Sequence, residues 1–285
     1  DQVQIKQGTL SLSVSDRRLR IARATLDTAE SALAVSGEIG LDNKMTGKLD
    51  YRLRVADLSP WLTLINKKGS GMVDLAGEAR GNLTDLKSQG TARLAKLHVE
   101  GVTVKDGTVQ YSLQGSKDGF FPLGIVTARL AGVDAGIGMR QINGTARLQR
   151  QPSESIQLAL SVQDNFDRKH SLNGDIAFSP GAITLRLSEF SLMSPDGAWK
   201  LARPATLTKR GDLFSIDQFL MTNGDRELAV NGRIGFAGNQ DVDLKIDRLP
   251  LETLMAFSSR QDQPKMSGLL AAQARIGRTA RAPQI

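Results

Sequence analysis

Cysteine is absent from this 285-residue sequence, and histidine is almost absent, with 2 residues. The chain therefore has no disulfide, no thiolate nucleophile and no thiolate metal ligand. His98 and His170 lie far apart in sequence, and neither has the second histidine or paired carboxylate of a zinc site beside it. We predict that both histidines are surface residues.

Sequence motifs of catalysis are missing as well. No Gly-x-Ser-x-Gly nucleophile turn occurs, and Gly136-Ile137-Gly138 lacks the third glycine of a phosphate-binding loop. Asp241, Asp243 and Asp247 hint at calcium, but Asp241 and Asp243 alternate with apolar residues, which indicates the outer face of a strand. The sequence predicts no enzyme activity, no cofactor and no bound metal.

Aromatic residues and long apolar runs are also scarce. Aromatics make up 5% of the chain, too few for the stacking platforms of single-strand nucleic-acid binders or the girdles of outer-membrane barrels. The net charge of +7 allows an anionic partner, and the densest basic cluster, Arg17 to Arg23, is either a patch for phosphates and lipid headgroups or a solvated face. We expect no nucleic-acid partner.

No stretch of about 18 apolar residues or N-terminal export signal is present. The first residue is Asp1, and both ends fall inside patterned sequence. We therefore expect the chain to be part of a longer protein whose signal or membrane anchor lies outside this stretch.

Apolar residues alternate with polar ones along most of the chain, which places the apolar side chains of a strand on one face. Residues 48–55, for example, read KLDYRLRV, and clusters such as SPDG at 194–197 and TNG at 222–224 favour hairpins between strands. The pattern predicts an all-β chain of meandering antiparallel strands. The inward positions chosen from it are Val35, Ile39, Leu49, Tyr51, Leu53, Val55, Val109, Tyr111, Leu113, Ile156, Leu158, Leu160, Val162, Leu172, Ile176, Phe178, Ile183, Leu185, Leu187, Val230, Ile234, Val242, Leu244 and Ile246.

Two segments break the alternation. Near 60–65 and 250–257 a proline is followed by apolar residues at helical spacing, which predicts two short amphipathic helices, with an irregular apolar loop as the alternative.

An internal repeat is visible at an offset of about 195 residues. Residues 33–40 (LAVSGEIG) correspond to residues 228–235 (LAVNGRIG), and both are followed by a strand and a predicted helix. We predict one full repeat at about 33–227 and the start of a second at about 228–285. A smaller element, apolar-x-Gly-x-apolar, recurs around Gly37, Gly77, Gly144, Gly174 and Gly232. It indicates curvature toward the apolar face, room for something lying across that face, or plain coiling of the sheet.

A sheet with one apolar face has to cover that face. A second sheet would give a dry sandwich, and a lipid acyl chain would give an open groove. The alternation alone leaves both possibilities open.

Several ordered segments resemble the TamB family, within the AsmA-like group of bridge-like lipid transfer proteins. They are residues 199–205 (WKLARPA), 214–216, 228–232, 249–251 (LPL), 266–268 (MSG) and 277–283 (GRTARAP). At Arg278 the family commonly has a second glycine, so that turn departs from its pattern. The resemblance covers nearly the whole chain, although no single motif in it is diagnostic.

This resemblance implies an elongated, curled antiparallel sheet, the β-taco, with an aliphatic-lined groove and two short helices. It implies a non-enzymatic conduit for phospholipid acyl chains in the periplasm, within an inner-membrane-anchored protein that partners an outer-membrane TamA-like protein. The inward residues above would line the lipid groove, and membrane contact would come only from segments outside this stretch. The alternatives are a scaffold that assembles outer-membrane proteins by strand pairing, and a plain structural β-sandwich.

Overall fold

Alternating strands separated by turn residues build almost all of the structure. The computed structural model describes residues 3–116, 119–136, 138–150, 154–235, 239–256 and 266–279, in which there are eighteen strands and two short helices. The predicted all-β class, the antiparallel pairing and the two helices are confirmed. Ile137, Phe257 and residues 280–283, on which parts of three predictions fall, lie outside the described residues.

The chain divides into unit 1, residues 1–150, and unit 2, residues 151–285. This division does not coincide with the predicted repeat, which follows sequence similarity rather than contacts. The repeat boundaries stay a prediction.

Unit 1 is a meander in which each strand pairs antiparallel with the next. Its elements are β1 (Ile5–Ser15), β2 (Arg18–Thr28), β3 (Ser31–Gly40), β4 (Gly47–Val55), α1 (Ser59–Leu64), β5 (Gly69–Gly81), β6 (Leu86–Val99), β7 (Val102–Ser116), β8 (Gly119–Asp134) and β9 (Gly138–Gln149).

Unit 2 is also antiparallel. Its elements are β10 (Ser155–Asp164), β11 (Lys169–Ser179), β12 (Ala182–Ser194), β13 (Gly197–Leu201), β14 (Ala205–Arg210), β15 (Leu213–Asn223), β16 (Arg226–Gly235), β17 (Asn239–Pro250), α2 (Leu251–Ala256) and β18 (Leu269–Thr279). Strands β13 and β14 both pair with β12 and with β15, so they occupy one interrupted strand position. The interruption contains Pro204, which has no N–H to donate to a ladder.

A hydrogen-bonded turn at Asp57 leads into helix α1. The Asp57 carboxylate accepts hydrogen bonds from the Ser59 hydroxyl at 2.6 Å and from the Ser59 backbone N–H at 2.9 Å, and these bonds lower the pKa of Asp57. Pro60 follows in the first turn, where a missing N–H costs nothing. The alternative of an irregular loop is therefore wrong for this segment.

Two glycines at the repeat offset have the same unusual geometry. Gly37 has φ +123° and Gly232 has φ +131°, and a Cβ on either would lie 2.2 or 2.0 Å from the backbone oxygen of Lys48 or Asp241 on the next strand. Only glycine fits such a backbone conformation and such a close approach. At both positions the glycine therefore permits close contact with the next strand.

Candidate functional site: the apolar face

The registers of unit 1 align its apolar residues into continuous rows, because residues directly opposite each other in paired strands share one face. Three adjacent rows cross all nine strands. The first consists of Leu12, Ile21, Gly37, Leu49, Ala79, Ser88, Leu113, Gly124 and Leu148; the second of Leu10, Ala24, Val35, Tyr51, Gly77, Gly90, Tyr111, Val126 and Ala146; the third of Gly8, Leu26, Leu33, Leu53, Leu75, Ala92, Val109, Ala128 and Gly144. None of these positions carries a charge. We call this surface the apolar face of unit 1.

The opposite face of unit 1 is charged and forms ion pairs across its strands. Lys48 Nζ lies 2.9 Å from Asp50 and 3.0 Å from Glu78, and these contacts raise the pKa of Lys48 and lower that of Glu78. In the predicted basic cluster, Arg17 lies 3.2 Å from Asp42 and Arg18 lies 2.7 Å from Glu38. Two of the cluster's arginines are therefore neutralised by acidic neighbours.

The apolar face of unit 1 is not a dry core. Val35, Leu53, Leu75 and Val109, in the interiors of their strands, are only half-buried, and the leucines of β1 are exposed, with Leu10 at 67%. A face that a second sheet would cover in a sandwich is therefore still partly exposed in unit 1.

The two tyrosines of the chain meet on this face. The Tyr51 hydroxyl lies 2.6 Å from the Tyr111 hydroxyl and 2.6 Å from the Ser88 hydroxyl. The tyrosines stand on β4 and β7, and the positions between them in the row are Gly77 and Gly90. A Cβ on Gly77 would lie 2.5 Å from the Tyr51 oxygen, and one on Gly90 would lie 2.4 Å from the Tyr111 oxygen. The hydroxyl end of each ring therefore lies over a glycine.

Unit 2 has an apolar face built in the same way. One row consists of Ile156, Ile176, Leu185, Leu207, Ile216, Gly232, Val242 and Ile276. In another row Lys209 lies between Ile183 and Phe214 and interrupts the apolar face with a charge. Its ammonium nitrogen lies 5.6 Å from the centroid of the Phe214 ring. Asp241 and Asp243 lie on the opposite face, where Arg275 contacts both. Their predicted outward position is confirmed.

One end of unit 2 is better buried. Trp199, Met221 and Leu249 form a buried cluster there, with Met221 only 3% exposed. Beside it Asp196 accepts hydrogen bonds from Ser194, Asn223 and Thr253 and pairs with Arg226. Burial alone would raise the pKa of Asp196, but the donors around the carboxylate outweigh it, and the pKa is lowered. These hydrogen bonds connect α2, through Thr253, to the turns at Asp196 and Asn223.

The structure corrects the prediction for one histidine. His98 is exposed as expected, but the side chain of His170 is only 11% exposed. Its Nδ1 accepts a hydrogen bond from the Met193 backbone N–H at 3.0 Å, and its Nε2 lies 3.5 Å from the buried Asp164, which also binds Arg168 at 2.6 Å. Sequence position alone gave no sign of this contact.

All of the predicted inward residues stand on the apolar face of their unit. Ile39, Val55, Leu187 and Val242 are buried, while Ile183 is 47% exposed. The alternation missed several residues of the same faces, namely Leu10, Leu12, Ile21, Leu26, Leu33, Leu75, Val126, Leu148, Leu207, Ile216 and Phe219.

Over the residues that the structure describes, no three His, Asp or Glu side chains are grouped to hold a metal ion. In this part of the chain, neither helix has the length and apolar character needed to cross a bilayer. No protein-family model, curated protein or solved structure matches the chain.

Proposed function

We propose that the chain is a non-enzymatic conduit for the acyl chains of phospholipids. The observation that carries this proposal is the apolar face of unit 1, where three uncharged rows cross nine strands and stay half-exposed. An acyl chain is a suitable cover, because it needs no directional partner and fits any continuous aliphatic surface.

The energetics favour an acyl chain that binds to the apolar face and can still slide along it. Each CH₂ removed from water contributes about 0.8 kcal/mol, so a long acyl chain would partition onto the face. Successive aliphatic positions are nearly equivalent, so movement along a row meets small barriers. The headgroup would stay in water, since burying it without partners costs several kcal/mol.

The resemblance to the TamB family supports a location for this activity. In that setting the chain works in the periplasm, as part of an inner-membrane-anchored protein, and passes phospholipid toward the outer membrane with a TamA-like partner. It thereby supports outer-membrane biogenesis. No nucleic acid takes part.

Mass spectrometry of lipids that copurify with the protein tests the proposal. We expect phospholipid in the wild-type protein and less in Leu53→Gln, which places an amide in the third row. Arg52→Gln, one position away on the charged face, is the matched control and should keep its lipid. A folded wild-type protein that stays empty after incubation with phospholipid vesicles would contradict the conduit.

A second candidate is a scaffold that pairs with strands of nascent outer-membrane proteins. The observation in its favour is β1, the terminal strand of unit 1, whose eleven residues are all exposed and include no proline. Such an edge can add a strand by β-augmentation. A scaffold acting only through this edge would purify without lipid and would bind an alternating apolar–polar peptide.

A further inference from the structure

The three rows of the apolar face contain three polar side chains, and these three bond to one another. They are Tyr51, Ser88 and Tyr111, joined by two oxygen–oxygen contacts of 2.6 Å. Every other position in the rows is aliphatic or glycine. Packing of the rings over Gly77 and Gly90 would be served equally by phenylalanine, so the hydroxyls themselves require an explanation.

The cluster has spare hydrogen-bonding capacity. Each hydroxyl carries one proton and two lone pairs. Two short hydrogen bonds join the three oxygens and use two of the protons, while the third pair of oxygens, those of Ser88 and Tyr111, interacts without a bond of this length. The third proton is therefore the one that a stronger acceptor can attract. Because all three residues are half-buried rather than enclosed, a molecule lying on the face can reach that proton.

The length of the apolar rows on either side of the cluster indicates which hydrogen-bond acceptor can lie there. The cluster is centred between β5 and β6, because its tyrosines stand on β4 and β7. From this centre the second row extends four and a half strand spacings to β1 and three and a half to β9. At about 4.8 Å per spacing these distances are about 22 Å and 17 Å. One leaflet of a bilayer core is about 15 Å thick, so an acyl chain fits on either side of the cluster. The acceptor is then a polar atom at the end of an acyl chain.

We propose that the Tyr51–Ser88–Tyr111 cluster is a hydrogen-bonding site for the ester carbonyl oxygen of an acyl lipid. This inference rests on the proposed conduit function and adds a fixed position to it. A chain that otherwise slides freely along equivalent aliphatic positions would pause where its carbonyl accepts a hydrogen bond from the third hydroxyl proton.

The test compares two lipids that differ only in the carbonyl. A diacyl phosphatidylethanolamine and its dialkyl ether analogue, of equal chain length, compete for the full chain, and native mass spectrometry counts each bound species. One neutral hydrogen bond predicts about a fivefold preference of the wild-type protein for the ester lipid. The triple variant Tyr51→Phe, Ser88→Ala, Tyr111→Phe keeps both rings over their glycines but removes all three hydroxyls, so the preference should fall to about one while ether-lipid binding is unchanged.

Ser112→Ala, which directly follows Tyr111 on β7 but lies on the opposite face, is the matched control and should keep the preference. A wild-type protein that binds both lipids equally would overturn the site and leave the conduit standing. Binding of neither lipid would instead defeat the conduit itself. Equal loss of both lipids in the triple variant, with a lower melting temperature, would show that the cluster only stabilises the sheet and would overturn the proposal. A preference for a free long-chain fatty acid, without one for the ester over the ether, would also overturn the proposal.

Discussion

Replacement of Ile176 by aspartate separates an open apolar face from a dry core. Ile176 is half-buried on β11 and stands directly between Ile156 and Leu185. The substitution loses two cross-strand apolar pairs, each worth about 0.5 kcal/mol. On a half-exposed face the new carboxylate stays hydrated, so we expect a total loss of about 1 kcal/mol. In a dry core the lost packing and the unpaired charge would cost about 4 kcal/mol or more.

Two control substitutions calibrate this loss. Met221→Asp places a carboxylate in the buried cluster with Trp199 and Leu249, and we expect it to unfold unit 2. Asp175→Asn, next to Ile176 on the opposite face, should change stability by less than about 0.5 kcal/mol.

The assay pairs thermal melting with the amount of copurifying lipid. A loss of 1 kcal/mol corresponds to a fall in melting temperature of about 4 °C for a unit of this size. We expect Ile176→Asp to remain folded, to melt only slightly earlier and to carry less lipid, because the charge interrupts an apolar row. Unfolding of Ile176→Asp to the same extent as Met221→Asp would refute the open face. Undiminished lipid in the folded variant would refute the conduit at this strand.

Three further predictions, two of them substitutions and one a cross-linking experiment, test other parts of the structure. Gly37→Ala should cost about 2–4 kcal/mol in chemical denaturation, because its Cβ would lie 2.2 Å from the Lys48 oxygen at φ +123°; Gly8→Ala, with its nearest neighbours at 3.7 Å, should be nearly neutral. The pKa of Asp196 is lowered in the folded state, so its stabilisation is complete above the unfolded pKa and is lost as the pH falls through the folded pKa. Asp196→Asn should therefore cost about 2 kcal/mol at pH 7, with the difference from wild type shrinking below about pH 4 in melts across pH. Mild peroxidase oxidation should couple Tyr51 and Tyr111 into a dityrosine within the monomer, detectable by fluorescence and absent in Tyr51→Phe; a monomer without the cross-link would contradict the β4–β7 register.

Alternation predicted the apolar face in strands that keep a period of two, as in β4, although Leu10 and Leu12 of β1, which also alternate with polar residues, were not included. It failed as well at bulges, where the period slips. In β2 the register shifts between Ile21 and Ala24, so these residues face the same side although they are three positions apart. A pattern search that requires every second residue to be apolar cannot find such a strand.

The tyrosine cluster could not be predicted, because it depends on the combined register of three strand pairs. Tyr51 and Tyr111 are 60 residues apart, and both had been chosen only as inward positions. The signal that was present is Gly77 in its apolar-x-Gly-x-apolar element, which left room for something lying across the face. In the structure, the hydroxyl end of the Tyr51 ring fills the space above Gly77.

A bulge occurs at equivalent positions in β2 and β15, the two strands related by the offset of about 195 residues, and this coincidence has a physical explanation. In β15 the register shifts between Ile216 and Phe219, and the residue opposite Ile216 is Gly232, just as Gly37 is opposite Ile21. A bulge bends and twists its strand, and the glycine opposite has no Cβ to oppose the next strand's close approach. The bulge and the glycine therefore act together as one bend. At each bend the apolar residues before and after the bulge stay on the same side of the strand. The bulge with its opposite glycine therefore keeps the apolar face of each unit continuous where the two-residue period is interrupted.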